Sequence, residues 1–147
     1  MELAEIGKNI LINCMNVKPG ENVLIVTDDE KYAIGQALYQ AAKLLKAEAM
    51  LMTMPAREVS GQEPPAVVAA AMKAADVVIC PMKTSITHTR AKIEAAEAGA
   101  RIATMPGITE EMFAMGAMTA DYSRVMALTE QVTDLLTNAN TARIEKD

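Results

Sequence analysis

Four short apolar runs punctuate this chain: Asn22-Val23-Leu24-Ile25-Val26-Thr27, Ala49-Met50-Leu51-Met52-Thr53, Asp76-Val77-Val78-Ile79-Cys80 and Arg101-Ile102-Ala103-Thr104-Met105. A segment with helical periodicity separates each from the next. Runs such as Val77-Val78-Ile79-Cys80 lack the polar residue at every second position that a half-solvated strand shows, so both faces must be covered. Strands joined through a helix run parallel, because the crossover returns the chain to the edge where the previous strand began. The expectation is an α/β fold: a Rossmann-like three-layer sandwich with a parallel sheet of about four to five strands.

The helical segments fill in the layers. Leu3, Ile6, Ile10, Leu11 and Cys14 recur at helical spacing and predict a helix over residues 2–15, closed by the turn Val17-Lys18-Pro19-Gly20-Glu21. Ile34, Leu38, Ala41 and Leu45 predict a second helix over 32–46. An irregular polar loop, Pro55 to Glu63, leads to Pro64-Pro65, which opens a helix reaching Ala75; proline fits there because a first turn leaves its N–H groups unbonded. A helix over 88–98 is expected with Thr87 as N-cap and Gly99 as its stop. Thr109 is expected to cap a short helix whose Glu110 and Glu111 suit the positive end of the helix dipole. A last helix covers 121–137. The domain so outlined spans 1–140. Residues 141–147 read as a strand that begins and stops, either a frayed tail or the start of a linker to a further domain.

Composition narrows the function. With aromatics at 3% the core must be built from Ala, Val, Ile, Leu and the 12 methionines. A net charge of −5 with no basic stripe argues against nucleic acid as a partner. No apolar run approaches the ~18 residues of a membrane span, so no membrane is expected. Met1-Glu2-Leu3-Ala4-Glu5 carries acid where a secretory leader carries base. Two cysteines, Cys14 and Cys80, are too few for a disulfide framework, which fits a reduced, cytoplasmic protein.

Chemistry-bearing residues concentrate after the third run, in Lys83-Thr84-Ser85-Ile86-Thr87-His88-Thr89-Arg90. In an open parallel sheet with strand order 2-1-3-4 the ligand crevice lies at the carboxyl ends of the first and third strands. Thr27, Asp28 and Asp29 would line one side and Met82 to His88 the other. Thr84, Ser85 and Thr87 offer hydroxyl donors, and Lys83, Arg90 and a helix N-terminus favour an anion such as a carboxylate. The competing role of these hydroxyls is helix capping. His88, the only histidine, has no identifiable nucleophile to serve as acid or base. Asp28, Asp29 and Glu30 could take a hard cation or an amino group, or simply begin a solvated helix. Their loop has no glycine and three acids, which argues against a dinucleotide. One histidine and no ligand-spaced motif argue against a complete metal site. Met112, Met115 and Met118 fall three apart, as a core or interface face would.

Three segments together carry a family resemblance: Asn16-Val17-Lys18-Pro19-Gly20-Glu21-Asn22-Val23-Leu24-Ile25, Thr84-Ser85-Ile86-Thr87-His88-Thr89-Arg90-Ala91, and Gly99 to Met112 with its Met-Pro-Gly-Ile-Thr turn. In order and spacing they resemble the N-terminal domain of the aminopeptidase T family of leucyl metallo-aminopeptidases. That resemblance implies a scaffolding and substrate-cleft domain, inactive by itself and a likeness to only part of a longer, homodimeric enzyme. The family's divalent metal, zinc, cobalt or similar, is held by a C-terminal metal-binding domain, so no ligand carries over to this chain. A related branch of the fold contains ring-opening dioxygenases acting on hydroxypyridines, with iron again held by the other half. A stand-alone small-anion binding or oligomerisation module is the remaining alternative.

Overall fold

The computed structural model describes residues 3–146. Glu2, expected to open the first helix, and Asp147, the end of the tail, lie outside the described residues. In chain order the elements are α1 (Leu3–Asn13), β1 (Asn22–Asp28), α2 (Tyr32–Leu44), β2 (Glu48–Met54), α3 (Ala66–Ala74), β3 (Val77–Met82), α4 (Arg90–Glu97), β4 (Arg101–Pro106), α5 (Glu110–Ala114), a 3-10 turn (Gly116–Thr119) and α6 (Tyr122–Thr137). The four strands form one parallel sheet in the order β2-β1-β3-β4. The fold is thus the α/β three-layer sandwich read from the alternation, with four strands among the described residues.

Alternation along the central strands splits the core in two. Val23 and Ile25 of β1 and Val77 and Ile79 of β3 point to the face covered by α1, α2 and α5, where Ile6, Leu11, Leu38 and Phe113 fill the layer. Leu24, Val26, Val78 and Cys80 point to the other face, under Val68 and Met72 of α3 and Ala91 and Ala95 of α4. The stretches Val23–Val26 and Val77–Cys80 are apolar on both sides because water reaches neither. Gly35 lets α2 approach β1 closely: a Cβ there would stand 2.8 Å from the Thr27 side chain.

Most boundaries shift by one or two residues from the sequence reading, and two of the shifts are set by side-chain contacts. Strand β3 continues through Pro81 to Met82. Proline cannot donate to a ladder, and the β1–β3 register runs only from Val23↔Val77 to Ile25↔Ile79. Beyond it the Thr27 hydroxyl donates to the Pro81 carbonyl at 3.0 Å, so a side chain holds the two strands together. Helix α4 starts at Arg90, not His88, and its N-cap is Thr89, whose hydroxyl accepts from the Lys92 N–H. Thr87 does not cap, because its hydroxyl is engaged elsewhere.

Helix α6 stands apart. Only Tyr122 is half-buried and every other residue of the helix is exposed, including Val125, Met126, Leu128, Val132, Leu135 and Leu136. Residues 141–146 form neither helix nor strand. No helix is long and apolar enough to cross a membrane among the described residues.

Candidate functional site

The carboxyl edge of the sheet is built around Asp28. It ends β1 and is fully buried. One carboxylate oxygen accepts from the Glu30 and Lys31 N–H groups at 3.2 and 3.1 Å, and the other from the Lys83 N–H at 2.6 Å. The residue read as a candidate cation ligand is therefore the staple that joins the β1–α2 loop to the β3–α4 loop. A buried carboxylate is tolerable only with such donors around it. Asp29 is exposed.

Lys83 answers to the same loop. Its ammonium lies 2.6 Å from Glu30, which holds its pKa above the ordinary lysine value, with Asp28 adding a smaller pull in the same direction. Ser85 and Thr87 share a hydroxyl chain: Ser85 Oγ donates to Thr87 Oγ1 at 2.9 Å, and Thr87 Oγ1 lies 2.8 Å from Thr104 Oγ1 on β4. His88 and Arg90 are exposed at the crest of this loop. The structure thus brings Lys83, Ser85 and Thr87 into one bonded framework and leaves His88 facing outward.

The α4 N-terminus carries its own anion. Glu63 accepts from the Arg90 N–H at 2.6 Å and from the Ala91 N–H at 3.2 Å, so these two amides are bonded within the protein. A carboxylate is what a helix N-terminus attracts, and here the loop before α3 supplies it. The sequence reading treated Pro55 to Glu63 as an irregular loop and missed Glu63. Its position directly before Pro64-Pro65 gave no register against α4. It also missed Arg57, whose guanidinium Nε is buried without a hydrogen-bond partner, as is the Thr84 hydroxyl.

Two concave surfaces flank this framework. One, of about 190 Å³, lies between the β1–α2 and β4–α5 loops, lined by Glu30, Lys31, Ile34, Ile108, Thr109 and Glu110. It is smaller than the ~300–1,000 Å³ that usually encloses a small ligand. The other is apolar and about 520 Å³, formed by Ile108, Met112, Met115 and Met118 with their neighbours. Cys80 is buried and burial pushes its thiol up to about 12, which leaves it a small hydrophobe, not a thiolate ligand. Among the described residues no group of three or more His, Cys, Asp or Glu is placed to hold a metal ion.

The family model described as "NicX: 2,5-dihydroxypyridine 5,6-dioxygenase" matches residues 2–147. Among solved structures, the 2,5-dihydroxypyridine dioxygenase of Pseudomonas putida KT2440 superposes with a TM-score of 0.57 at 20% identity. The match covers 71% of this chain and 33% of that one, so this chain spans about a third of the enzyme it resembles in fold. A putative enoyl reductase domain of a polyketide synthase, at 13% identity and a TM-score of 0.40 over 98% of this chain and 100% of that one, is too distant to support an argument. No curated protein sequence matches the chain. These findings overturn the expected kinship with aminopeptidase T, and with it the reading as a metallopeptidase or hydrolase scaffold. The segments Asn16 to Ile25, Thr84 to Ala91 and Gly99 to Met112 are features of a strand–loop–helix framework; they do not specify which reaction it serves.

Proposed function

Since the chain belongs to the NicX family of 2,5-dihydroxypyridine 5,6-dioxygenases, we propose that it forms the non-metal lobe of an enzyme that opens hydroxypyridine rings with dioxygen. The family match over residues 2–147 carries this reading. Ring opening of this kind calls for a metal, and the residues here do not fit one. His88 stands alone, Asp28 is consumed by three N–H donors, and Cys80 is a buried, protonated thiol. Ligation is therefore assigned to a companion C-terminal lobe, with iron as the metal.

This chain's part is to bind and to exclude water. The Asp28 staple and the Ser85–Thr87–Thr104 chain tie the Lys83–Arg90 loop to β1 and β4 as a fixed wall, because these groups are bonded within the protein before any ligand arrives. The exposed His88 of this loop is assigned to contact the ring. The Met-rich hollow and the apolar face of α6 are assigned to the companion lobe. Both cysteines are free, which suits a cytoplasmic enzyme.

The test is oxygen uptake and loss of 2,5-dihydroxypyridine absorbance with Fe(II) and the full-length protein. Turnover is expected, falling at least tenfold in kcat/KM for His88→Ala with an unchanged melting temperature. Turnover by residues 1–147 alone, or none by the full-length protein, would overturn the reading.

A further inference from the structure

Between β2 and α3 the chain passes along the carboxyl edge of the sheet as a strap, residues 55–63, that takes no part in the core. Both its ends are fixed. Met54, the last residue of β2, is buried in the apolar layer under α3 and α4, and Pro64 is buried just ahead of α3. Between them Glu58 to Glu63 are all exposed, Val59 by 63%. No residue of the strap joins either apolar layer. Pro55 and Pro64 flank it, and neither has an N–H with which to anchor the chain to a neighbour.

What holds the strap down is polar. The Gly61 N–H donates to the Ser85 carbonyl at 2.8 Å, the Ser85 N–H donates to Ser60 Oγ at 3.2 Å, and Glu63 accepts from the Arg90 and Ala91 N–H groups. All of these bonds land on the Lys83–Arg90 loop and the first turn of α4. The tip is closed on itself, with the Glu58 N–H donating to Gln62 Oε1 at 3.2 Å and Gly61 turning at φ +86°. Internal bonds of this kind let the strap move as one piece. The loop it covers has other supports, since the Lys83 N–H is bonded to Asp28 and Thr87 to Thr104. Exposed hydrogen bonds without apolar burial characterise the segments of a protein that open most readily. Arg57 Nε in the strap and Thr84 Oγ1 in the loop are buried and unbonded in the closed arrangement, a cost that hydration removes once the segments part.

We propose that residues 55–63 form a latched strap that opens and recloses as a unit over the Lys83–Arg90 loop, with Glu63 as the latch. Open, it uncovers the Ser85 N–H and carbonyl and the first amides of α4. Closed, it occupies them with its own groups. These contacts define the strap whether or not the loop serves a hydroxypyridine ring.

Amide hydrogen exchange on this chain tests it. The Gly61, Ser85, Arg90 and Ala91 amides are expected to exchange through one shared opening, about a hundredfold or more faster than the amides of β3. Glu63→Ala should speed all of them by about fivefold, the size of a lost helix cap, although Gly61 and Ser85 do not bond to Glu63. Ser60→Ala should likewise speed Arg90 and Ala91, which do not bond to Ser60. Glu63→Gln keeps an acceptor and should give a smaller increase at the same amides, which covers the case in which the alanine variant fails to fold. Acceleration confined to Arg90 and Ala91 in the Glu63 variants would overturn the proposal, because the contacts would then break independently. So would exchange of these amides at the β3 rate, because they would then open only with the whole domain.

Discussion

The central strands and one face of each of the five packed helices are buried, with Leu44, Val67 and Met112 left on outer faces, whereas α6 buries none of Val125, Met126, Leu128, Val132, Leu135 and Leu136. Both regions are patterned for a core. In β3 the pattern meets partners on two faces. In α6 the stripe of Val125, Leu128, Val132 and Leu135 has the spacing of a packed helix but meets solvent. Amphipathic pattern alone, then, states that a face wants covering and not that this chain covers it.

The sharpest way to break that contrast is a matched pair of leucines. Leu38→Ala, in the buried face of α2, should cost about 2–5 kcal/mol in urea denaturation. Leu135→Ala, 73% exposed on α6, should cost less than ~0.5 kcal/mol. Equal costs would mean that α6 packs on the sheet in solution. Next in size is Asp28→Asn, which replaces an acceptor serving three N–H groups and should destabilise by about 1–3 kcal/mol. Glu63→Ala exposes two α4 amides, and a loss of about 1 kcal/mol in the same assay is expected.

The smallest effect compares two ion pairs. At the amino edge Arg101 bonds to Glu21 at 2.6 Å and also to the Met15 carbonyl, while Arg143 and Glu145 pair on the exposed tail. The hydrogen bond from Arg101 holds the Glu21 carboxyl below its ordinary value of 4.5. A lowered carboxylate pKa adds stability that is present above that value and is lost as pH falls through the folded-state pKa. Glu21→Gln should therefore cost about 0.5 kcal/mol at pH 7 and progressively less as the pH falls below the ordinary carboxylate value, read as a converging pair of denaturation midpoints. Arg143→Ala should be silent at both.

Much of the fold was legible because period and punctuation agreed. The buried strands lacked polar interruptions, Thr109 caps its helix as its sequence suggests, and the order 2-1-3-4, taken as the premise for locating the crevice, is the order found. The two errors share a cause. Pro81 stays in β3 because Thr27 supplies the missing link from the neighbouring strand, and Thr87 cedes the cap to Thr89 because Thr104 engages it. Both are contacts between residues far apart in sequence, which local pattern does not encode. The candidate site was legible as a place but not as a wiring. The loop Lys83–Arg90 is where the reading put it, yet Glu30 and Glu63 occupy the charges and amides meant for a ligand. The family was misassigned for a related reason: the quoted motifs are turns and strand ends of a framework, and chemistry rests on residues beyond it.

The strand order also dictates a timetable. β1 is the first strand to be synthesised but sits between β2 and β3, so its second flank stays bare until Val77–Met82 has been made. Parallel pairing cannot begin with a local hairpin, and each closure must bring together segments separated by a helix. A ribosome-bound chain shorter than this holds the apolar run Val23–Val26 with one side unprotected, the interval in which such a strand is most exposed to aggregation or to a chaperone. Slowing translation before β3 should lengthen that interval, and slowing it after β4 should not.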